Sequence, residues 1–269
     1  MDGGRLMIFT EMDFQLPVLQ ELESLANRQW HSLLISGPSG SGKSYLAKQY
    51  VRMLGAQDFA SITPKVDLIR EALEAGYKLS APIVYCIENL DAGTLSASYT
   101  LLKFLEDPAP NVYVIITCQN IAAIPDTILS RCACLTLSPP TVSAINTYAK
   151  HYDEAKWSAL HKHVAWSGVK SFKDVEYLYN LTSTQLAYYD ELSSILTFKD
   201  TVSNIIWKLG HYSDNSEINI PFMFNCIVAT TSSAQIRKHA INCMRDYIYN
   251  HIAIHAVLAK FVLECKYGE

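Results

Sequence analysis

The chain has 269 residues, 49% of them hydrophobic and 18% charged, which describes an ordinary globular protein long enough for two or three small domains and excludes long disordered stretches. A net charge of −4 excludes an overall basic footprint, so any nucleic-acid contact must come from a local patch or from one member of an assembly. No run approaches the roughly 18 apolar residues of a membrane span, Met1 to Leu16 shows no secretory pattern, and seven scattered cysteines read as reduced thiols, so a soluble, cytoplasmic protein with no membrane partner is expected.

Phe14, Leu16, Leu19, Leu22 and Leu25 predict an amphipathic helix within residues 9–27. The apolar run His31 to Ile35 predicts a strand, and a helix follows from near Lys43 to Leu54. Between them lies Gly37-Pro38-Ser39-Gly40-Ser41-Gly42-Lys43-Ser44, which fills every fixed position of the G-x-x-x-x-G-K-[ST] phosphate loop between a strand and a helix, the context that motif needs. Its glycines let successive N–H groups turn inward on a polyphosphate, and the helix start adds the positive end of a dipole. Lys43 is the candidate for the β- and γ-phosphates, and Ser44 for Mg²⁺. ATP with Mg²⁺ is the expected cofactor; hydrolysis is a separate question.

Asp58 to Ile62 reads as a short strand, and Pro64 opens a helix carrying Val66, Ile69 and Leu73. Pro82 to Ile87 is a continuous apolar run suited to a buried parallel strand, and it ends in Glu88-Asn89-Leu90-Asp91. A carboxylate at the end of such a strand, beside a phosphate loop, is where a magnesium-associated acid belongs. Glu88 is the first candidate, as metal ligand and as catalytic group. A helix over Leu95 to Leu105, stopped by Asp107-Pro108, precedes a second buried strand, Val112 to Thr117. The short segment Pro125 to Leu129 leads to Ser130-Arg131-Cys132 and a further strand, Ala133 to Leu137. Cys132 and Cys134 fit alternation along that strand better than a metal site.

This alternation predicts a three-layer α/β domain with a mostly parallel sheet, ending near residue 140. Beyond it the pattern is helical, in segments over 142–150, 153–166 and 171–181, with a break at Ser167-Gly168. From Ser183 onward it stays helical, interrupted near Gly210 to Pro221. Tyr148, Tyr177, Tyr179, Tyr188 and Tyr189 read as packing residues, and Ile254, Val257, Leu258, Phe261 and Val262 as core or subunit interface.

Ile-Val-Tyr-Cys-Ile-Glu-Asn-Leu-Asp (83–91), Leu-Leu-Lys-Phe-Leu-Glu-Asp-Pro (101–108) and Thr-Ile-Leu-Ser-Arg-Cys (127–132) resemble the AAA+ clamp-loader family, most strongly its delta-prime branch in bacterial DNA polymerase III. The stretches leading into the phosphate loop and over residues 62–71 are similar too. The resemblance implies an AAA+ α/β core over 1–140, a helical lid over 141–182 and an all-α collar over 183–269. It also implies a ring with other loader subunits that places a sliding clamp on primed double-stranded DNA. Arg131 matches the family's arginine finger, which reaches a neighbour's nucleotide, and a permanently charged guanidinium suits that task.

Departures bear on activity. Glu88 occupies the usual aspartate position and Asn89 that of the glutamate that activates water; an amide accepts no proton at neutral pH. Hydrolysis by this chain itself is therefore expected to be weak or absent unless Asp91 substitutes. An independent AAA+ ATPase, such as a helicase loader or remodeller, stands as the alternative. The polar sensor falls on Cys118 or Gln119, and the lid's sensor arginine has only Lys170 nearby, out of register. No cysteine between Lys43 and Cys86 supplies the zinc module common in bacterial members. The pattern is that of a reduced member, of a kind a bacterial virus could encode. Arg70, Lys78 and Lys103 are the residues a ring could turn toward DNA.

Overall fold

A computed structural model describes residues 16–56, 58–78, 81–210 and 218–267. The chain divides into two compact units, Met1–Ala144 and Ile145–Glu269.

The first unit holds five parallel strands, β1 (Ser32–Ser36), β2 (Asp58–Ile62), β3 (Ile83–Ile87), β4 (Val112–Cys118) and β5 (Ala133–Thr136), in the order β2-β3-β4-β1-β5. The three inner strands are buried along their whole length, which is why they read as unbroken apolar runs; the edge strands β2 and β5 are mixed. Because β1 lies between β4 and β5, neither its predecessor nor its successor in the chain, the segment leaving it enters the crevice where the strand order reverses. That segment is the glycine-rich loop.

Helices α1 (Leu16–Asn27), α2 (Lys43–Met53), α3 (Val66–Gly76), α4 (Leu95–Glu106) and the short α5 (Asp126–Leu129) complete this unit. The predicted first helix is found from Leu16; residues 9–15 lie outside the described residues. Thr94 caps α4 by accepting the N–H of Ala97 at 3.2 Å, and Pro108 stops it one residue beyond Asp107. A core of Leu34, Ile69, Tyr85, Ile87, Leu101, Phe104, Val114 and Ile116 joins α3 and α4 to the sheet.

The second unit is helical: α6 (Val142–Tyr152, whose first three residues fall in the first unit), α7 (Glu154–Leu160), α8 (Phe172–Tyr179), α9 (Ser183–Ile195), α10 (Val202–Gly210), α11 (Ile220–Thr230), α12 (Ala234–Tyr249) and α13 (Ile254–Tyr267). α11 is its centre, with Phe222, Met223, Phe224, Cys226 and Ile227 all buried. Tyr148, Tyr179, Tyr188 and Tyr189 are buried as packing residues, Tyr189 and Tyr177 each meeting Phe222 edge-on. Val257, Leu258, Phe261 and Val262 of α13 are core.

One expectation is corrected here. The helix predicted over 153–166 ends at Leu160, because His163 accepts the N–H of Ala165 and opens a separate 3₁₀ turn, Val164–Gly168. The break read near Gly210 to Pro221 is found: α10 ends at Gly210 and α11 starts at Ile220, with Pro221 in its first turn, where the N–H it lacks would be unpaired anyway; residues 211–217 of that break lie outside the described residues. Gly168 has a packing reason that spacing did not show: a Cβ there would lie 2.3 Å from Cys226 Sγ, so α11 comes this close to the turn only past a glycine.

Candidate nucleotide-binding site

The loop 37–44 lies across the C-terminal ends of three strands whose last residues are in register: Ser36 pairs with Cys118 of β4 and with Thr136 of β5. Gly37 donates its N–H to the carbonyl of Cys118 at 3.2 Å, and Ser36 accepts from the N–H of Leu137 at 2.8 Å. At Gly37 a Cβ would lie 2.8 Å from the Leu137 carbonyl oxygen, so the loop needs glycine to pass this strand. Gly42 stands at φ 100° as the N-cap of α2, a left-handed conformation that ends the loop and starts the helix in one step. The sequence therefore folds here into a strand, a tight backbone cradle and a helix whose first N–H groups face the cradle.

Lys43 is buried, and its Nζ donates to the carbonyls of Gly37 at 2.7 Å and Pro38 at 2.9 Å. Burial lowers its pKa, while the charges of Cys118 and Asp91 work the other way. Burial likewise pushes the Cys118 thiol up to about 11, with Asp91 adding to the rise and Lys43 opposing it. The hydroxyl of Ser41 is buried with no hydrogen-bond partner among the described residues. A buried ammonium, an unpartnered hydroxyl and a glycine cradle together fit a polyphosphate.

The segment after β3 is tied to the neighbouring strand at two points. Asn89 sits at φ 52°, in the left-handed region that asparagine tolerates better than most residues, and its N–H donates to Thr117 Oγ1 at 3.0 Å. Asp91 Oδ2 accepts the N–H groups of Gln119 at 3.0 Å and Asn120 at 2.9 Å, while its Oδ1 is shielded from solvent without a partner among the described residues. Glu88 turns toward the edge of the sheet and accepts from Ser61 Oγ of β2 at 3.0 Å. So of the two carboxylates in this segment, Asp91 acts on Lys43, and Glu88 is engaged on the β2 side. Of the two sensor candidates, Cys118 is buried near Lys43 and Gln119 is exposed, contributing its backbone N–H to Asp91.

Arg131 follows α5. Its Nη1 donates to Thr127 O at 2.8 Å and Ser130 Oγ at 3.4 Å, and its Nη2 to Glu106 Oε1 at 2.7 Å. Lys170, in the second unit, is exposed, and its N–H donates to Asp174 Oδ2. No group of three or more metal-ligating side chains occurs among the described residues. Sequence reasoning missed the Glu106 partner and the backbone clamp made by Asp91.

Residues 56–141 match the family model described as DNA polymerase III, delta subunit. A replication factor C small subunit of Haloarcula marismortui is 30% identical over 141 residues, 48% of this chain and 43% of that protein. A second replication factor C small-subunit relative, from Acanthamoeba polyphaga mimivirus, is 26% identical over 179 residues, 50% of this chain and 48% of its own. These matches support the clamp-loader AAA+ family.

The chain spans less than half the length of either curated relative, 43% and 48%. Among solved structures, a DNA polymerase III gamma subunit-related protein of Thermotoga maritima superposes with a TM-score of 0.57 at 13% identity, over 92% of this chain and 98% of that one. The RuvB Holliday junction branch migration motor of the same organism superposes with a TM-score of 0.56 at 16% identity, over 84% and 94%. Both likenesses concern the fold. The α/β class read from the sequence, with its parallel sheet and following helices, is the class found. Among the described residues no helix is long and apolar enough to cross a membrane.

Proposed function

We propose that this chain is a clamp-loader subunit that binds ATP with Mg²⁺ through residues 37–44 and supplies Arg131 to the nucleotide of a neighbouring subunit. The observation that carries this reading is the pairing, in one unit, of a glycine cradle around a buried Lys43 with a surface guanidinium at Arg131 in a Ser-Arg-Cys sequence. Lys43 would give up its two loop carbonyls for phosphate oxygens, and Ser44 would hold Mg²⁺, which offsets the triphosphate's charge when bound; Glu88 would join it only by leaving Ser61 Oγ and turning back from the β2 side. The helices after residue 140 would divide into a lid to 182 and a collar from 183. That boundary would fall at the start of α9, where Thr182 and Gln185 form a capping box.

Asn89 leaves no proton acceptor at the position that activates water, so turnover by this chain alone is slow and its contribution is made largely in trans. The other ring subunits, a sliding clamp and primed double-stranded DNA are the partners this reading requires. A delta-prime position in the ring is the finer form of the proposal.

The test is ATP turnover by the chain alone and then with candidate loader subunits, clamp and primed DNA, using Lys43→Ala and Arg131→Ala. Stimulation by clamp and DNA that is lost with Arg131→Ala and kept with Lys43→Ala is the expected result. Turnover by the chain alone, lost with Lys43→Ala and indifferent to clamp, would replace this reading with an independent ATPase.

A further inference from the structure

The arginine read above as acting on a neighbour is engaged within its own chain. Glu106 is the last residue of α4, 25 positions before Arg131, and its Oε1 takes one Nη2 hydrogen at 2.7 Å. The contacts to Thr127 and Ser130 are local and neutral; they fix the direction of the guanidinium and leave its charge unmatched. Glu106 supplies the match. Of the fork's five N–H groups, Nε–H and the second Nη2 hydrogen have no partner among the described residues, so one edge is held and another is presented.

Helix stability does not explain a glutamate here. A carboxylate in the last turn faces the negative end of the helix dipole, so Glu106 is unfavourable for α4 unless a cation offsets it. The pair is also placed where exchange is easy: the side chains are 33% and 57% exposed, and exposed ion pairs are weak and screened by salt. An incoming phosphate competes with Glu106 for the guanidinium and is repelled by the carboxylate beside it.

The geometry points to Glu106 as a positioning residue that holds Arg131 oriented and charge-matched until a phosphate oxyanion displaces it. This rests on the reading of Arg131 as a phosphate-reaching group. Contact with a triphosphate is then gated: the anion must outcompete one carboxylate, so a lone phosphate is discriminated against relative to a polyphosphate held firmly on a neighbour.

The probe is inorganic tripolyphosphate, titrated into the full chain carrying Lys43→Ala so that the chain's own loop does not take it. The readout is the Arg131 side-chain Nε–H resonance, assigned by its loss in Arg131→Lys, with melting temperature as a control for folding. Glu106→Gln, which keeps an acceptor oxygen and removes the charge, should bind about two- to fivefold more tightly at low salt, the range expected for an exposed ion pair. That difference should shrink as salt is raised, and Glu106→Asp should behave like the parent. Equal affinities in the parent and Glu106→Gln would overturn the holding role and leave the finger reading standing. An Arg131 resonance unmoved by tripolyphosphate in every variant, together with partner-stimulated turnover indifferent to Arg131→Ala, would overturn both.

Discussion

Asp91 Oδ2 accepts the backbone N–H of Asn120 at 2.9 Å, so the turn that follows β3 is fastened to the turn that follows β4. The same oxygen accepts from Gln119, and a carboxylate with two backbone donors is a strong, charge-assisted clamp. Asp91→Ala leaves both donors without this partner and should destabilise the first unit by about 1–3 kcal/mol. For a protein of this size that is a fall of about 2–4 °C in Tm for each kcal/mol. Asp91→Asn keeps an acceptor oxygen and should lose less. Calorimetry of the three proteins checks this, and an unchanged Tm in Asp91→Ala would show that the clamp contributes nothing to stability.

Asn89 carries two consequences at once. Its φ of 52° favours asparagine or glycine, and a glutamate there should cost about 1 kcal/mol in backbone strain. The same glutamate would restore a proton acceptor, an effect typically worth about 10²-fold or more in rate. Asn89→Glu is therefore expected to lower Tm while raising Mg²⁺-dependent ATP turnover, and Asn89→Gly to leave Tm nearly unchanged and turnover low. Urea denaturation alongside a phosphate-release assay separates the two effects. Turnover that stays flat in Asn89→Glu would mean that the missing base is not what limits the reaction.

What could be read from the residues, and what could not, follows from where the information lies. β1, β3 and β4 are buried on both faces, so their composition announces them, and the phosphate loop is legible because glycine at fixed spacing answers a backbone requirement. The Asp91 clamp was not legible, because its partners are backbone N–H groups, which every residue but proline possesses. Glu106 and Arg131 are brought together by tertiary structure across 25 residues, and no local periodicity couples them. The end of α7 depended on a single histidine side chain choosing a backbone N–H over helix continuation.

Lys43 gives a pH dependence with a definite sign. Burial holds its pKa below 10.5, so the buried ammonium is lost at lower pH than in an unfolded chain. Between those two pKa values the unfolded state binds more protons, and this residue's contribution to stability rises with pH. Affinity for ATP should move oppositely, falling as pH rises through the same interval below 10.5, because the phosphates lose their cation. Lys43→Met should flatten both slopes. Since the charge of Asp91 supports the ammonium, Asp91→Asn should shift the loss of affinity to lower pH. Titration with a fluorescent ATP analogue across the alkaline range reads this directly; an affinity profile identical in Lys43→Met would assign the slope to another group.

Gly168 offers a test of packing in the second unit that is independent of nucleotide. A Cβ at this position would meet Cys226 Sγ at 2.3 Å, with Phe222 O at 3.2 Å and Cys226 N at 3.3 Å behind it. Gly168→Ala should therefore destabilise by about 1–3 kcal/mol, as overpacking of a tight interior does. Most of that clash is with one sulfur atom, so Cys226→Ala should restore part of the loss in the double variant. The restoration should be incomplete, because the two backbone atoms cannot move away without shifting α11. A double-mutant cycle by urea denaturation measures the coupling, which should be favourable by about 0.5 kcal/mol or more. Strict additivity would mean that α11 moves as a body when the methyl is added, and that the thiol is not what sets the distance between α11 and the 3₁₀ turn.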